Sequence, residues 1–322
     1  PPVSTRLRPC WTAFLSILLG VLLLSYTCRL LNPTVDNSFF RRAGLFTFLF
    51  FWAAPVILSA VEKMPGTLSV HDSLTAPNQP ATIEAMLTGK SLRTEIPLGG
   101  EPIELLVAAN VVATAMTGSD GRAFLSYTPK AKGSVLFTVR VGATSKTAAA
   151  EADANLAVWE RRTPIIAVEM ASLTEAPTVQ GLTVTLAGKD AEGKHPMSDA
   201  ASELGKLTQF YYNVIYVVTE DKAVGTNDQV NAQTRQWLKD QKFPVGHILV
   251  LPSDPAAFGT KLDELHAAGW KMLKIGVGRT KAFVETFLQR RLDAVMVPEP
   301  AKGEAPRKAK VAKEWKDVRK KM

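Results

Sequence analysis

Two stretches near the amino end carry no charge and are almost wholly apolar. The first, residues 10–28, is Leu-rich and bounded by Arg8 and Arg29; the second, 43–61, is Phe-rich and contains Trp52 and Pro55. Each has about the length a helix needs to cross a bilayer core. The pattern therefore predicts two transmembrane helices joined by the loop 29–42. A cleaved signal peptide is the alternative for the first run, since Arg6 and Arg8 precede it directly. Against it, the run is longer than an h-region, and Ser25-Tyr26-Thr27-Cys28 lacks the small residues of a cleavage site. A helical hairpin buried in a globular core is the alternative for the pair.

From residue 62 to 160 the pattern changes to short apolar runs rich in Thr, Val and Ala, separated by turn residues. Strands are predicted at 66–70, 81–87, 92–96, 103–108, 111–116, 123–127, 135–141 and 155–159. Gly118-Ser119-Asp120-Gly121 and Lys132-Gly133 mark turns, and the alternation is plain in Ala123-Phe124-Leu125-Ser126-Tyr127. Strands of this length and spacing predict a β-sandwich.

Past the charged junction Glu160-Arg161-Arg162-Thr163-Pro164, continuous apolar strands alternate with amphipathic helices. Strands are predicted at 165–168, 213–218, 247–251, 272–277 and 294–297, and helices at 198–210, 227–241, 259–269 and 281–290, with Ser198 as an N-cap. Such alternation predicts a parallel, doubly wound sheet. In the last stretch Val311, Trp315, Val318 and Met322 fall at i, i+4, i+7 and i+11, an apolar face on an otherwise basic helix that includes Lys308 and Lys316 at its polar positions. That face suits an anionic membrane surface or an acidic groove on a partner; a solvated Lys-rich terminus is the alternative.

Charge and cysteine content sharpen the picture. The 322 residues carry a formal charge of +8, but residues 302–322 hold nine Lys/Arg against Glu304, Glu314 and Asp317, a surplus of +6 in the tail alone. The remainder is close to neutral, which argues against a nucleic-acid-binding face. Cys10 and Cys28 flank the first apolar run and are the two cysteines of the chain; a disulfide scaffold or a Cys-ligated zinc site in the later domains is thereby excluded. His195, His247 and His266 share no ligand spacing and read as surface or strand-end residues.

Two resemblances follow. Thr117-Gly118-Ser119-Asp120-Gly121-Arg122-Ala123, then Tyr127-Thr128-Pro129 and Gly133, is similar to bacterial immunoglobulin-like repeats, which implies a spacer or interaction module. Residues 163–300 resemble the haloacid dehalogenase (HAD) phosphatase superfamily. The segment Asn213 to Thr219, with Thr234-Arg235-Gln236-Trp237-Leu238, Phe243-Pro244-Val245-Gly246 and Ile248-Leu249-Val250-Leu251-Pro252, looks like its lipin-type phosphatidate phosphatase branch.

That resemblance assigns roles to particular positions. The family's D-x-D, a nucleophile and a leaving-group acid, falls on Glu169 and Ala171. Its phosphate-binding Ser/Thr and Lys fall on Thr219 and Lys261, and its metal-binding G-D-x-x-x-D reads Gly278-Arg279-Thr280-Lys281-Ala282-Phe283. Glutamate in place of aspartate displaces the attacking oxygen by about an ångström, enough to cost about a hundredfold in rate. Alanine transfers no proton, and magnesium loses both acids it would need at Arg279 and Phe283. The expected outcome is a bidentate Arg279–Glu169 pair filling the vacated metal site.

The expected class is thus a multidomain membrane protein. It has a membrane anchor with two transmembrane helices over 1–61, an all-β immunoglobulin-like sandwich over 62–160, an α/β HAD-like (Rossmannoid) domain over 161–300, and a basic amphipathic tail over 301–322. The expected function is that of a membrane-anchored pseudoenzyme without cofactor, an accessory or scaffold subunit whose partners are membrane lipids and other membrane protein subunits, not nucleic acid. A residual phosphatase on phospholipids or other phosphoesters, with Glu169 as nucleophile and magnesium as cofactor, is the second reading. A phosphoanion- or lipid-binding domain using Thr219, Lys261 and Arg279 is the third. The expected location is a bacterial inner membrane. Three positive residues in the loop (Arg29, Arg41, Arg42) balance three outside it (Arg6, Arg8, Lys63). The basic tail favours the cytoplasmic face for the later domains, whereas sandwiches of this kind are commonly exported, which favours the periplasmic face.

Overall fold

A computed structural model describes residues 65–91, 94–144, 147–175, 195–220 and 227–322. Strand dominates: fifteen strands and six helices occur among the described residues, the longest helix having 14 residues. No helix among them is long and apolar enough to cross a membrane, the longest having 14 residues where about 20 apolar ones are needed. The expected class of a membrane protein built on transmembrane helices is therefore corrected, and so is the integral inner-membrane location. The segments 10–28 and 43–61 lie outside the described residues.

The first nine strands are β1 (Gly66–Val70), β2 (Ser73–Thr75), β3 (Ala81–Ser91), β4 (Thr94–Pro97), β5 (Pro102–Val107), β6 (Asn110–Met116), β7 (Arg122–Tyr127), β8 (Gly133–Val141) and β9 (Ala150–Val158). They form two sheets, one with β1, β4 and β7 all paired to β3, the other in the order β2-β9-β8-β5-β6. Period-two alternation sends Ile83, Ala85 and Leu87 of β3 and Phe137, Val139 and Val141 of β8 into one shared core. The turn at Gly118–Gly121 needs its last glycine: Gly121 has φ +75°, and a Cβ there would lie 2.5 Å from the carbonyl oxygen of Leu87. The short β2, absent from the sequence reading, pairs in parallel with β9.

The rest of the chain builds a six-stranded parallel sheet. Its elements are β10 (Ile165–Glu169), α1 (Met170–Leu173), α2 (Ala200–Phe210), β11 (Asn213–Glu220), α3 (Asn227–Asp240), β12 (His247–Pro252), α4 (Pro255–Ala267), β13 (Leu273–Gly278), α5 (Lys281–Gln289), β14 (Asp293–Met296), β15 (Lys310–Val311) and α6 (Trp315–Lys321). The order β12-β11-β10-β13-β14-β15 makes β10 the strand from which the winding reverses. In open sheets of this order, sites lie beyond the carboxyl ends of the strands near that reversal.

Every residue of β10 is buried, as a strand covered on both faces must be. Ile165 and Ala167 join Phe258 and Leu262 of α4 and Phe283, Val284 and Phe287 of α5. Ile166 and Val168 face the opposite way, towards Leu204 and Leu207 of α2, Trp237 and Leu238 of α3, and Trp315 and Val318 of α6. Helix α2 starts later than expected: its N-cap is Asp199, at φ 61°, and not Ser198. Helix α4 starts earlier, at Pro255, because Asp254 accepts from the Ala256 N–H at 3.0 Å.

The largest local correction concerns the tail. Val311 lies in edge strand β15, Trp315 and Val318 are fully buried, and the Trp315 indole N–H donates to the Ser172 carbonyl at 2.9 Å. Lys316 pairs with Asp199 at 2.9 Å on the solvent side. Lys308 stands in the turn before β15, at φ 74°. The apolar face read as a membrane or partner surface thus covers the chain's own sheet, in one core with Ile166 and Val168 of β10 and Leu173 of α1.

Candidate site at the end of the central strand

Strand parity decides where Glu169 points. It follows Ile165 and Ala167 onto the α5 side of the sheet, where it is 4% exposed. Its Oε2 accepts from the backbone N–H of Arg279 at 2.7 Å and of Thr280 at 2.8 Å, and its Oε1 accepts from the Thr280 hydroxyl at 2.5 Å. Thr280 is the N-cap of α5, and its oxygen in turn accepts from the Phe283 N–H at 3.4 Å. The carboxylate therefore serves as the anion at the helix's amino end, where unpaired N–H groups and the helix dipole favour negative charge. Gly278 permits the approach, since a Cβ there would stand 2.8 Å from Glu169 Oε2.

Arg279 does not form the expected bidentate pair. Its backbone reaches Glu169, but its guanidinium turns away: Nη2 donates to the Thr174 carbonyl at 2.6 Å and lies 3.6 Å from Met197 Sδ. Two chain segments meet there, since Thr174 bridges Pro196 and the Met197 N–H donates to Leu173 O at 2.7 Å. Nε of Arg279 is buried without a partner. Burial pushes the guanidinium below its ordinary pKa, and the nearby charge of Glu169 opposes that shift.

The other expected site residues are not gathered around Glu169. Thr219 is exposed near the end of β11. Lys261 lies on α4 and pairs with Glu264 of the same helix at 2.9 Å. Ala171 is in α1. Phe283, at the position of an expected acid, is 5% exposed and stacks on Phe258 with ring centroids 4.9 Å apart.

The donor set does not fit the magnesium that the HAD resemblance implies. Magnesium needs hard oxygen ligands in octahedral array. Here both oxygens of Glu169 already accept hydrogen bonds, and Ala171, Arg279 and Phe283 supply no carboxylate. Among the described residues no three His, Cys, Asp or Glu side chains converge as a metal site.

A second polar cluster, missed in the sequence, lies where the sandwich meets the α/β domain. Asp72, in the loop between β1 and β2, has a fully buried side chain. Its Oδ1 accepts from the Asn155 N–H of β9 at 2.9 Å and from Arg235 Nη2 of α3, and its Oδ2 accepts from the Ile248 N–H of β12 at 3.1 Å. Arg235 also donates to Asn231 Oδ1 at 3.1 Å. Around this cluster Leu74, Ala76, Ala157 and Trp159 extend the core on the α5 side of the sheet. His247 sits beside it at the start of β12, which fits the strand-end alternative and not the surface one, and it is buried.

No protein-family model and no curated protein matches the chain. Among solved structures, the D00-D0 domain of Intimin is similar at 12% identity and a TM-score of 0.23, over 31% of this chain and 50% of that one. The N-terminal Ig1-2 module of the Drosophila receptor protein tyrosine phosphatase DLAR is similar at 16% identity and a TM-score of 0.24, over 34% of this chain and 63% of that one. A family 39 glycoside hydrolase from Bacteroides cellulosilyticus WH2 gives 7% identity and a TM-score of 0.22, over 71% of this chain and 50% of that one. The chain thus spans about half the length of the Intimin fragment. Scores at this level carry neither fold nor activity over to this protein.

Proposed function

We propose that the α/β domain is a HAD-like pseudoenzyme and that the protein acts through interaction, as an accessory or scaffold subunit of a protein complex. The observation that carries this reading is the state of Glu169. A nucleophile must present an oxygen to substrate, whereas both oxygens of Glu169 are turned into the fold by Arg279, Thr280 and the start of α5. Ala171 offers no acid two residues on, and the Phe283 ring fills space on the same side of the sheet. A carboxylate that began as a reactive group is retained in this reading as a structural anion.

The test is a phosphatase assay with magnesium on phosphatidate and on a small phosphoester, with the wild type compared to Glu169→Gln. The expected result is no turnover above buffer for either protein. Magnesium-dependent turnover that disappears in Glu169→Gln would overturn the pseudoenzyme reading in favour of a phosphatase. Neither protein partners nor stoichiometry enter that assay, so cross-linking of the full chain in its own cells, followed by identification of the joined chains, tests the interaction half separately. A chain recovered only uncrosslinked would count against the scaffold role.

A further inference from the structure

We propose that the junction between the sandwich and the α/β domain is an acid-released latch with His247 as its trigger. His247 opens β12 and is 5% exposed. Its Nδ1 is buried without a hydrogen-bond partner. Its ring stands edge-on to Trp159, the residue after β9, with centroids 6.5 Å apart. The preceding residue, Gly246, accepts at its carbonyl from Asn155 Nδ2 of β9 at 3.5 Å, and the following residue, Ile248, donates its N–H to Asp72. The imidazole is therefore flanked on both sides in sequence by bonds that join the two domains.

The charged groups facing this imidazole come from three elements: Asp72 from the β1–β2 loop, Arg235 from α3 and Lys261 from α4. Lys261 is itself paired with Glu264. The adjoining strands present Asn155 of β9 and Ile215, the register partner on β11, neither of them charged. Asp72 is the anion of this group, and both of its oxygens are already taken by Asn155, Arg235 and Ile248. A proton arriving on Nδ1 would create a buried N–H without an acceptor and a third cation beside Arg235 and Lys261. Such a charge is stable only if water enters, and water enters here by parting the domains.

The sign follows from linkage. Burial holds the imidazole below its ordinary pKa; Asp72 opposes that shift, while Lys261 and Arg235 add to it. The closed junction then binds fewer protons than the open one. Its stability is complete above the ordinary value of about 6.5 and declines as pH falls through it, with the opening equilibrium rising by up to about tenfold per pH unit.

Amide hydrogen exchange on the full chain between pH 7.5 and 5.0 tests this, because the Asn155 and Ile248 amides both donate to Asp72 and report the latch directly. After correction for intrinsic exchange, their protection is expected to fall about tenfold per unit below pH 6.5, while the Val139 amide in the sandwich core keeps its protection. In His247→Gln the two junction amides should lose this pH dependence. Parallel loss of protection at Val139, or an unchanged slope in His247→Gln, would overturn the latch. Should that variant not fold, an NMR titration of the wild-type imidazole decides: a pKa at or above 6.5 refutes the proposal, and one well below supports it.

Discussion

Glu169 shows how a buried carboxylate at a strand end can be held entirely by the start of the next helix. Its carboxylate accepts two backbone N–H groups and one hydroxyl at the start of α5. Charge-assisted bonds of this kind contribute about 1.5–3 kcal/mol each to the group they hold, less the cost of desolvating it. Glutamine at this position keeps the shape but removes the charge: its carbonyl can face the two N–H groups while its amide donates to the Thr280 hydroxyl, so three charge-assisted bonds become neutral ones. Glu169→Gln is accordingly expected to lose about 2–3 kcal/mol in urea denaturation. A loss within about 0.5 kcal/mol, the range of ordinary surface changes, would show that α5 does not depend on this anion. The strand end and the carboxylate were legible in the sequence, since an apolar run of five ending in an acid is a local pattern. The partner was not. Arg279 is the opposite charge at the position where the HAD resemblance expects a metal ligand, and residue type alone pairs it with Glu169. The structure uses the Arg279 backbone for Glu169 and its guanidinium for Thr174, a choice set by chain direction between β13 and α5 that residue type does not encode.

At the level of elements the same distinction recurs between a pattern and its destination. The apolar positions Trp315 and Val318 were readable as one helical face, but a face buried on its own domain and a face offered to a membrane have the same periodicity. What separates them is the unfilled area on the sheet, and that area is created by Ile166, Val168 and Leu173, more than a hundred residues earlier. Trp315→Ala removes the largest of the fully buried side chains. It is expected to cost about 3–5 kcal/mol, as for other large aromatic truncations in cores. Chemical denaturation of the variant measures it, with Lys316→Ala as a solvent-facing control that should leave the midpoint nearly unchanged. A Trp315→Ala protein as stable as the wild type would return α6 to the status of a free tail. The elements that escaped the sequence, β2 with three residues, β15 with two and α1 with four, are shorter than the window in which a period can be recognised. Among the longer strands, β8 and β11 match their expected bounds to within two residues, whereas β3 runs on to Ser91 past the expected 87 and β9 starts at Ala150 and not at 155, where small, polar and acidic residues leave no apolar run to read.

For the molecule as a whole, the decisive residue is one that sequence reading passes over. Asp72 stands between two strand segments, where an acidic residue ordinarily marks a solvated turn, yet its partners lie 83, 163 and 176 positions away in sequence. No local pattern carries that information. The described residues from 65 onward nonetheless belong to one compact unit, and Asp72 ties β9, α3 and β12 together within it. Removing one partner of a buried charged cluster leaves the others uncompensated, which costs about 3–5 kcal/mol. Asp72→Ala should therefore do more than lower stability. The sandwich has its own core around Ile83, Phe137 and Val139, and the parallel sheet has cores on both faces, so each half retains a reason to stay folded once the clamp is gone. Calorimetry of the wild type is expected to give one cooperative transition for this unit, and Asp72→Ala two. Adding Arg235→Ala in the Asp72→Ala background should cost less than Arg235→Ala alone, since its buried acceptor is already absent. A single transition in Asp72→Ala with a loss below about 1 kcal/mol would mean that the apolar contacts of Leu74, Ala157 and Trp159 hold the halves together unaided.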